Sequence, residues 1–267
     1  MIDLHCHVLP GIDDGARDMG EALELCRAAA DDGVEVIAAT PHVRHDHPRV
    51  RPDELAGRCE ELNSALRAEG LPLYVVPGGE VDLLWAQAAS DEELRLVSLC
   101  QGGRSLLVET PYRTLADDFE HQLFRIQVRG YRVLLAHPER NATLCDQPER
   151  LAALVQRGLL VQITAPAFHN QGDRNGMRRS PARRVALRLV RDGLAHVISS
   201  DAHRIGGPRP VGLSDAVRAV EDARPGAGAW MSRDVPNALL AGTAVPAPPR
   251  AARRGPLSRL RRPGRDG

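Results

Sequence analysis

Gly130-Tyr131-Arg132-Val133-Leu134-Leu135-Ala136-His137-Pro138-Glu139-Arg140 reads, from left to right, as a helix stop, a short apolar strand and a polar strand end. A glycine behind a helical stretch supplies a left-handed C-terminal cap, and an apolar run this short suits a buried strand better than a helix. The same order recurs at Gly33, Gly70, Gly158 and Gly193. The pattern predicts strands near residues 2–6, 34–39, 73–78, 105–109, 132–136, 159–164 and 196–200. Helices are expected near 18–32, 52–68, 115–129, 148–157 and 180–192, with two more near 83–97 and 213–223. Five such stops would be a coincidence in a sandwich or a helical bundle, but they follow naturally from repeated helix-to-strand connections around a parallel sheet. Seven β/α units favour an α/β barrel over an open sheet.

Outside these units the chain is ordinary in composition and uneven in charge. Its 267 residues, 43% hydrophobic and 26% charged, can bury a core without disulfide staples. Basic and acidic residues cancel at 35 each, with no lysine, yet residues 250–267 carry seven Arg against one Asp. The body is therefore acidic and only the end basic, which does not suit a sequence-specific nucleic-acid binder. From about 243 the sequence becomes rich in Ala, Pro and then Arg and lacks apolar periodicity, so a domain over 1–244 and a disordered basic tail over 245–267 are expected. Five scattered cysteines, Cys6, Cys26, Cys59, Cys100 and Cys145, form no CxxC pair, so a reducing cytoplasm is expected. Neither a signal peptide nor a membrane span is expected, because there is no basic start before an apolar stretch and no run of eighteen apolar residues.

The chemistry collects at the predicted strand ends. His5 and His7 close the first, His42 follows the second in Thr40-Pro41-His42, and Glu80 follows the third in Gly78-Gly79-Glu80. Glu109 follows the fourth, His137 the fifth, and Asp201 with His203 the seventh. In a β/α barrel these ends open on one face, so residues spread over two hundred positions converge on one mouth. Were all of them structural, six strand ends would each have to bury costly polar groups independently. Histidine and carboxylate without cysteine suit Mn²⁺, Fe²⁺ or Zn²⁺ used catalytically. His5 and His7 point to one side of an extended chain and Cys6 to the other, which makes Cys6 a core thiol. Asp13 and Asp14 lie in the next loop, where Asp before Gly is a normal turn, and Asp14 becomes a ligand candidate once a metal cluster sits over the first strand. The other histidines, His45, His47, His121, His169 and His196, are assigned to solvent or ordinary hydrogen bonding.

Asp3-Leu4-His5-Cys6-His7, Leu9-Pro10-Gly11-Ile12-Asp13-Asp14-Gly15, Ala39-Thr40-Pro41-His42, Gly79-Glu80, His137-Pro138-Glu139-Arg140 and Ser200-Asp201-Ala202-His203 together resemble the polymerase and histidinol phosphatase (PHP) superfamily. Within it they are most similar to the manganese-dependent protein-tyrosine phosphatases of bacterial capsule and exopolysaccharide gene clusters. The resemblance runs over about residues 1–240, and Asn237-Ala238-Leu239-Leu240 resembles that family's last helix. It implies a distorted seven-stranded, TIM-like β/α barrel holding up to three ions. By the resemblance, His5, His7, Glu80 and Asp201 would hold the first ion, Glu80, Glu109 and His137 the second, and Asp14, His42 and His203 the third. Arg140 matches a phosphate-contacting arginine. A second such arginine falls among Arg204 and Arg209, with Arg209 favoured by its distance from His203.

Metal-bound hydroxide attacking a phosphomonoester is the natural use of such a site, with arginine binding phosphate oxygens in bidentate fashion. The resemblance names phosphotyrosine on a protein, such as a bacterial tyrosine kinase of polysaccharide biosynthesis, as the substrate. A small-molecule phosphatase of the histidinol-phosphate or nucleotide type and a non-catalytic metal-stabilised binding module are the alternatives. A homo-oligomer is compatible with all three. No cysteine has Arg six residues on, and no GxxxxGK[ST] or GxGxxG element occurs, so a thiol-based phosphatase and an ATP- or nicotinamide-dependent enzyme are disfavoured.

Overall fold

The structure, a computed structural model, describes residues 1–112, 115–168, 181–207 and 209–249. Nine parallel strands occur among them: β1 (Ile2–Cys6), β2 (Val36–Ala39), β3 (His42–Val43), β4 (Tyr74–Pro77), β5 (Glu80–Val81), β6 (Ser105–Val108), β7 (Arg132–Ala136), β8 (Leu160–Thr164) and β9 (Val197–Ser199). One sheet has the order β1-β2-β4 and the other β3-β5-β6-β7-β8-β9. The seven predicted runs are all present. The two additional strands arise because Thr40-Pro41 and Gly78-Gly79 interrupt the second and third runs, and the chain resumes pairing two residues later.

That resumption sets the site. His42 pairs in register with Glu80, so two ligand-type residues 38 positions apart stand side by side. At the other side of the fold β9 returns to β1: the Asp201 amide donates to the His5 carbonyl at 2.7 Å and the His7 amide to the Ala202 carbonyl at 2.9 Å. Asp3, fully buried, holds this junction by accepting from the amide and hydroxyl of Ser200 and from the His5 amide. The overall fold is mixed α/β, with helices joining successive strands except between β2 and β3 and between β4 and β5.

The five glycine stops behave as the pattern requires: Gly33, Gly70, Gly130, Gly158 and Gly193 all have φ between 66° and 90°. Each therefore ends its helix in the left-handed region that a side chain would strain. Two helix expectations need correction. The stretch 83–97 is two helices, Leu83–Ala88 and Asp91–Val97, because Ser90 and Glu93 form a reciprocal capping box that starts the second afresh. The helix expected from 115 begins at Phe119.

The core is aliphatic, built from β-strand Leu, Ile and Val and from helix faces such as Leu25, Leu62, Leu123 and Leu154. Residues 245–249 of the expected tail lie against the body. Trp230 Nε1 donates to the Pro246 carbonyl at 3.1 Å and Arg224 Nη2 to the Pro249 carbonyl at 3.0 Å. The rest of that expectation, 250–267, lies outside the described residues. No helix among the described residues is long and apolar enough to cross a membrane.

Candidate metal centre

Strand ends bring His5, His7, His42, Glu80, Glu109, His137, Asp201 and His203 into one buried cluster, and the loop after β1 adds Asp14, whose side chain is half exposed. Their ligand atoms fall into four overlapping groups: His7, Asp14, His42 and His203; His5, His7 and Glu80; His5, His137 and Asp201; and His42, Glu80 and Glu109. Glu80 sits at the middle. One of its oxygens faces His42 Nδ1 at 2.9 Å, His5 Nε2 at 3.4 Å and His7 Nε2 at 3.5 Å, while the other is 2.8 Å from His137 Nε2. Asp201 Oδ1 faces His5 Nε2 at 3.3 Å and His7 Nε2 at 3.4 Å. This grouping differs from the division implied by the resemblance, since His137 joins His5 and Asp201, and His42 joins Glu80 and Glu109.

The donor set fits a cation. Glu109 Oε1, His137 Nδ1, Asp201 Oδ1 and His203 Nε2 are buried without a hydrogen bond of good geometry, and a polar atom left so is costly unless something binds it. His5 and His7 face one another through Nε2 atoms 3.2 Å apart, an arrangement that one shared proton or a cation between them would satisfy. The electrostatics agree. Burial by itself would lower the pKa of His5, but the charges of Glu80 and Asp201 outweigh it and raise it. Burial likewise opposes protonation of His7, and Asp13 overcomes it. Glu80 is held well below the usual carboxylate range: burial alone would raise it, and His5, with hydrogen bonds from His137 and His42, more than reverses that. Glu109 moves the other way, raised by burial and by the neighbouring Glu80 charge. His203 falls to about 4 through burial and repulsion from His7. A nest of buried carboxylates thus draws positive charge toward it.

Two of these residues have strained backbones. His137 has φ 37° and Asp201 φ 52°, left-handed conformations that non-glycine residues rarely take. Such strain, of order 1–3 kcal/mol each, persists where surrounding structure over-determines it and collects at functional sites. Gly15 serves the same region differently. A Cβ there would lie 2.0 Å from the His7 carbonyl oxygen, so only glycine lets the Asp13-Asp14-Gly15 loop close over β1.

The arginines separate cleanly. Arg140 Nη1 lies 2.5 Å from Asp201 Oδ2, and Arg209 reaches both Asp201 Oδ2 at 3.5 Å and Asp14 Oδ2 at 3.3 Å. Arg204 instead donates through Nε to the Gly15 carbonyl at 3.0 Å. Glu139 is no surface partner for Arg140; it is buried and accepts from the amide and hydroxyl of Thr164. Cys6 is a core thiol, as its position in the strand predicts: it is buried, donates to the Ala202 carbonyl, and burial pushes its pKa well up.

The sequence reading missed several supporting residues. Asp13 accepts from His7 Nδ1 at 2.7 Å and from the His42 amide, fixing the His7 tautomer so that Nε2 presents its lone pair to the cluster. Gln162 Oε1 does the same for His5 Nδ1 at 3.1 Å. Arg44 reaches Glu109 at 3.4 Å, and the Tyr112 ring lies against His137. Gln162 carried a signal, a polar residue inside the apolar run Leu160-Val161-Gln162-Ile163. Of the histidines set aside, His45 and His121 are exposed, His47 lies with its ring 5.3 Å from that of His42, and His196 accepts from the Val161 amide. His169 lies outside the described residues.

Comparison with known proteins places this arrangement. The family model described as capsular polysaccharide synthesis, CpsB/CapC, matches residues 1–228, which contain all nine clustered residues. The chain belongs to the CpsB/CapC family. It is 34% identical over 205 residues to the tyrosine-protein phosphatase YwqE of Bacillus subtilis, covering 77% of this chain and 78% of that one. It is 32% identical over 209 residues to a putative tyrosine-protein phosphatase CapC of Staphylococcus aureus, with the same coverage. A solved structure from work on YwqE of Bacillus subtilis and CpsB of Streptococcus pneumoniae, described as unique metal-dependent tyrosine phosphatases, superposes with a TM-score of 0.80 at 30% identity, covering 95% of this chain and 100% of that one.

For this CpsB/CapC chain the orienting role of Asp13 is directly measurable. Asp13→Asn is expected to weaken Mn²⁺ binding by about 10–100-fold, the usual effect of losing a carboxylate behind a ligating histidine, with little change in folded structure. Calorimetric titration of the metal-stripped protein, with circular dichroism as the control, checks it. Unchanged affinity would return Asp13 to a loop-forming role.

Proposed function

We propose that this chain is a metal-dependent protein-tyrosine phosphatase. The observation that carries the reading is the convergence of five histidines and four carboxylates on one site whose rim is closed by Arg140 and Arg209. His5, His7, Glu80 and Asp201, then Glu80, Glu109 and His137, then Asp14, His42 and His203 would hold up to three divalent ions. Manganese is our first choice, with iron or zinc as the others, because the donors are imidazole and carboxylate without thiolate. Bound ions would supply an activated water and neutralise charge on the phosphoryl oxygens.

The chain's own groups do the remainder. Both arginines rest on Asp201, so an arriving phosphate competes for guanidinium groups already aimed at the cluster. Arg140 would then bind two phosphate oxygens and stabilise the charge of the transferring phosphoryl group. Tyrosine, whose phenol has a pKa of about 10, needs little general-acid help on departure. A thiol nucleophile is not supported: Cys6 and Cys145 are held protonated, the first by burial, the second by burial and the charge of Glu139.

We read the parallel strands, with β9 returning to β1, as a distorted seven-stranded β/α barrel in which β2 with β3 and β4 with β5 each count once. The partner is proposed as a phosphotyrosine protein, specifically a bacterial tyrosine kinase of polysaccharide synthesis, met in the cytoplasm. The decisive experiment offers Mn²⁺-loaded protein a phosphotyrosine peptide, histidinol phosphate and a nucleoside monophosphate in parallel. The peptide is expected to lead in kcat/KM by about tenfold or more. A lead for either small molecule would move the reading to a small-molecule phosphatase.

A further inference from the structure

Beyond the phosphate-binding groups, one aromatic side chain that packs on a clustered histidine also stands at the rim. Tyr112 is 53% exposed, one of few large apolar surfaces left open to solvent. Its ring stacks against His137 with centroids 5.6 Å apart and planes 21° apart, and its hydroxyl lies 3.5 Å from Arg140 Nη1. The backbone beneath it is fastened. The Thr110 hydroxyl donates to the Ala136 carbonyl, and Asn141 Nδ2 donates to the Pro111 carbonyl at 2.6 Å. The ring is thus presented by an anchored segment, and little conformational entropy remains to be lost when a ligand packs on it.

Position decides what that ligand is. A phosphate bound by Arg140 would have the Tyr112 hydroxyl beside it, and the half-exposed Tyr112 ring stands on the solvent side of the buried His137, so a group esterified to that phosphate and reaching toward solvent meets this ring. An aryl group on the phosphate oxygen offers a flat face that can pack on the Tyr112 ring; a short alkyl group offers it little surface. Offset or edge-to-face packing of two aromatic rings adds to affinity beyond the area buried.

We propose that Tyr112 is the specificity-determining residue of this site, an aromatic platform that packs against the phenyl ring of an aryl phosphate and so selects phosphotyrosine over alkyl phosphates. This rests on the phosphatase reading and deepens it. The Tyr112 hydroxyl is not required; the ring is.

The test measures binding separately from turnover. Calorimetry on the full, Mn²⁺-loaded chain compares phenylphosphonate with methylphosphonate, two non-hydrolysable ligands that share the phosphate-like head and differ in the group past the rim. In Tyr112→Ala the Kd for phenylphosphonate should rise about 5–10-fold while that for methylphosphonate holds within twofold, as loss of an aromatic contact alone would give. Tyr112→Phe, which keeps the ring, should retain the tight phenylphosphonate binding. With phosphotyrosine peptide, Tyr112→Ala should raise KM with kcat nearly constant. Equal weakening of both phosphonates, no weakening of either, or a Tyr112→Phe variant that behaves like Tyr112→Ala would each overturn the proposal. Wild-type protein that binds phenylphosphonate through Tyr112 yet hydrolyses no aryl phosphate would sink the phosphatase reading and leave the platform standing.

Discussion

Prolonged incubation with excess chelator is expected to abolish hydrolysis of a phosphotyrosine peptide, with Mn²⁺ restoring it and metal analysis finding more than one ion per chain. The loss should be about a thousandfold or more, because the ions supply several kcal/mol of transition-state stabilisation. Slow removal is expected from the burial of eight of the nine candidate ligands, with only Asp14 open to solvent. His137→Ala localises the effect. It deletes a donor that lies 2.8 Å from Glu80 and groups with His5 and Asp201, so bound metal and rate should fall together, with partial recovery at high Mn²⁺. Falling pH should mimic the chelator, since ligation needs neutral imidazole and ionised carboxylate and protons compete for both. Full activity in excess chelator would remove metal from the mechanism altogether.

Arg140→Ala should produce a different signature, a fall of about 10²–10³-fold in kcat/KM at unchanged metal content. Arg140 donates to Asp201 from the rim and coordinates nothing, so its removal takes away an electrostatic stabiliser and leaves every donor in place. Loss of the guanidinium also frees Asp201 from a competing cation, which favours metal retention. Arg204→Ala, by contrast, breaks a contact to the Gly15 carbonyl and should cost far less. Steady-state kinetics with metal counts on the two variants separate these cases, and an Arg140→Ala enzyme with wild-type kinetics would place the residue outside the site.

The candidate ligands other than Asp14 could be read before any coordinates because they lie at or just past the ends of apolar runs, and the parallel β/α pattern forces those ends toward one face. His137 behind Val133-Leu134-Leu135 and Asp201 behind Val197-Ile198 are cases of that rule. The helix stops could be read for an equally local reason: Gly33 and Gly193 adopt positive φ, which only glycine takes at no steric cost. The split of 83–97 is also written locally, in the Ser90 and Glu93 capping box.

What the sequence determined by itself was periodicity, punctuation and the chemical type of each strand end, all of which depend on neighbours a few residues away. Tertiary structure alone decided the rest. That Arg209 faces Asp201 and Asp14 while Arg204 turns to Gly15 depends on where their loop lies against the loop after β1, nearly two hundred residues earlier. So does the left-handed backbone of His137 and Asp201, which no local preference favours and which persists only because the β9–β1 junction and the packed strands hold it. Asp13 behind His7, Gln162 behind His5 and Tyr112 over His137 are pairings across elements, set by strand register and side-chain direction. The identity of a residue limits the bonds it can make, and only the packed chain selects which of them form.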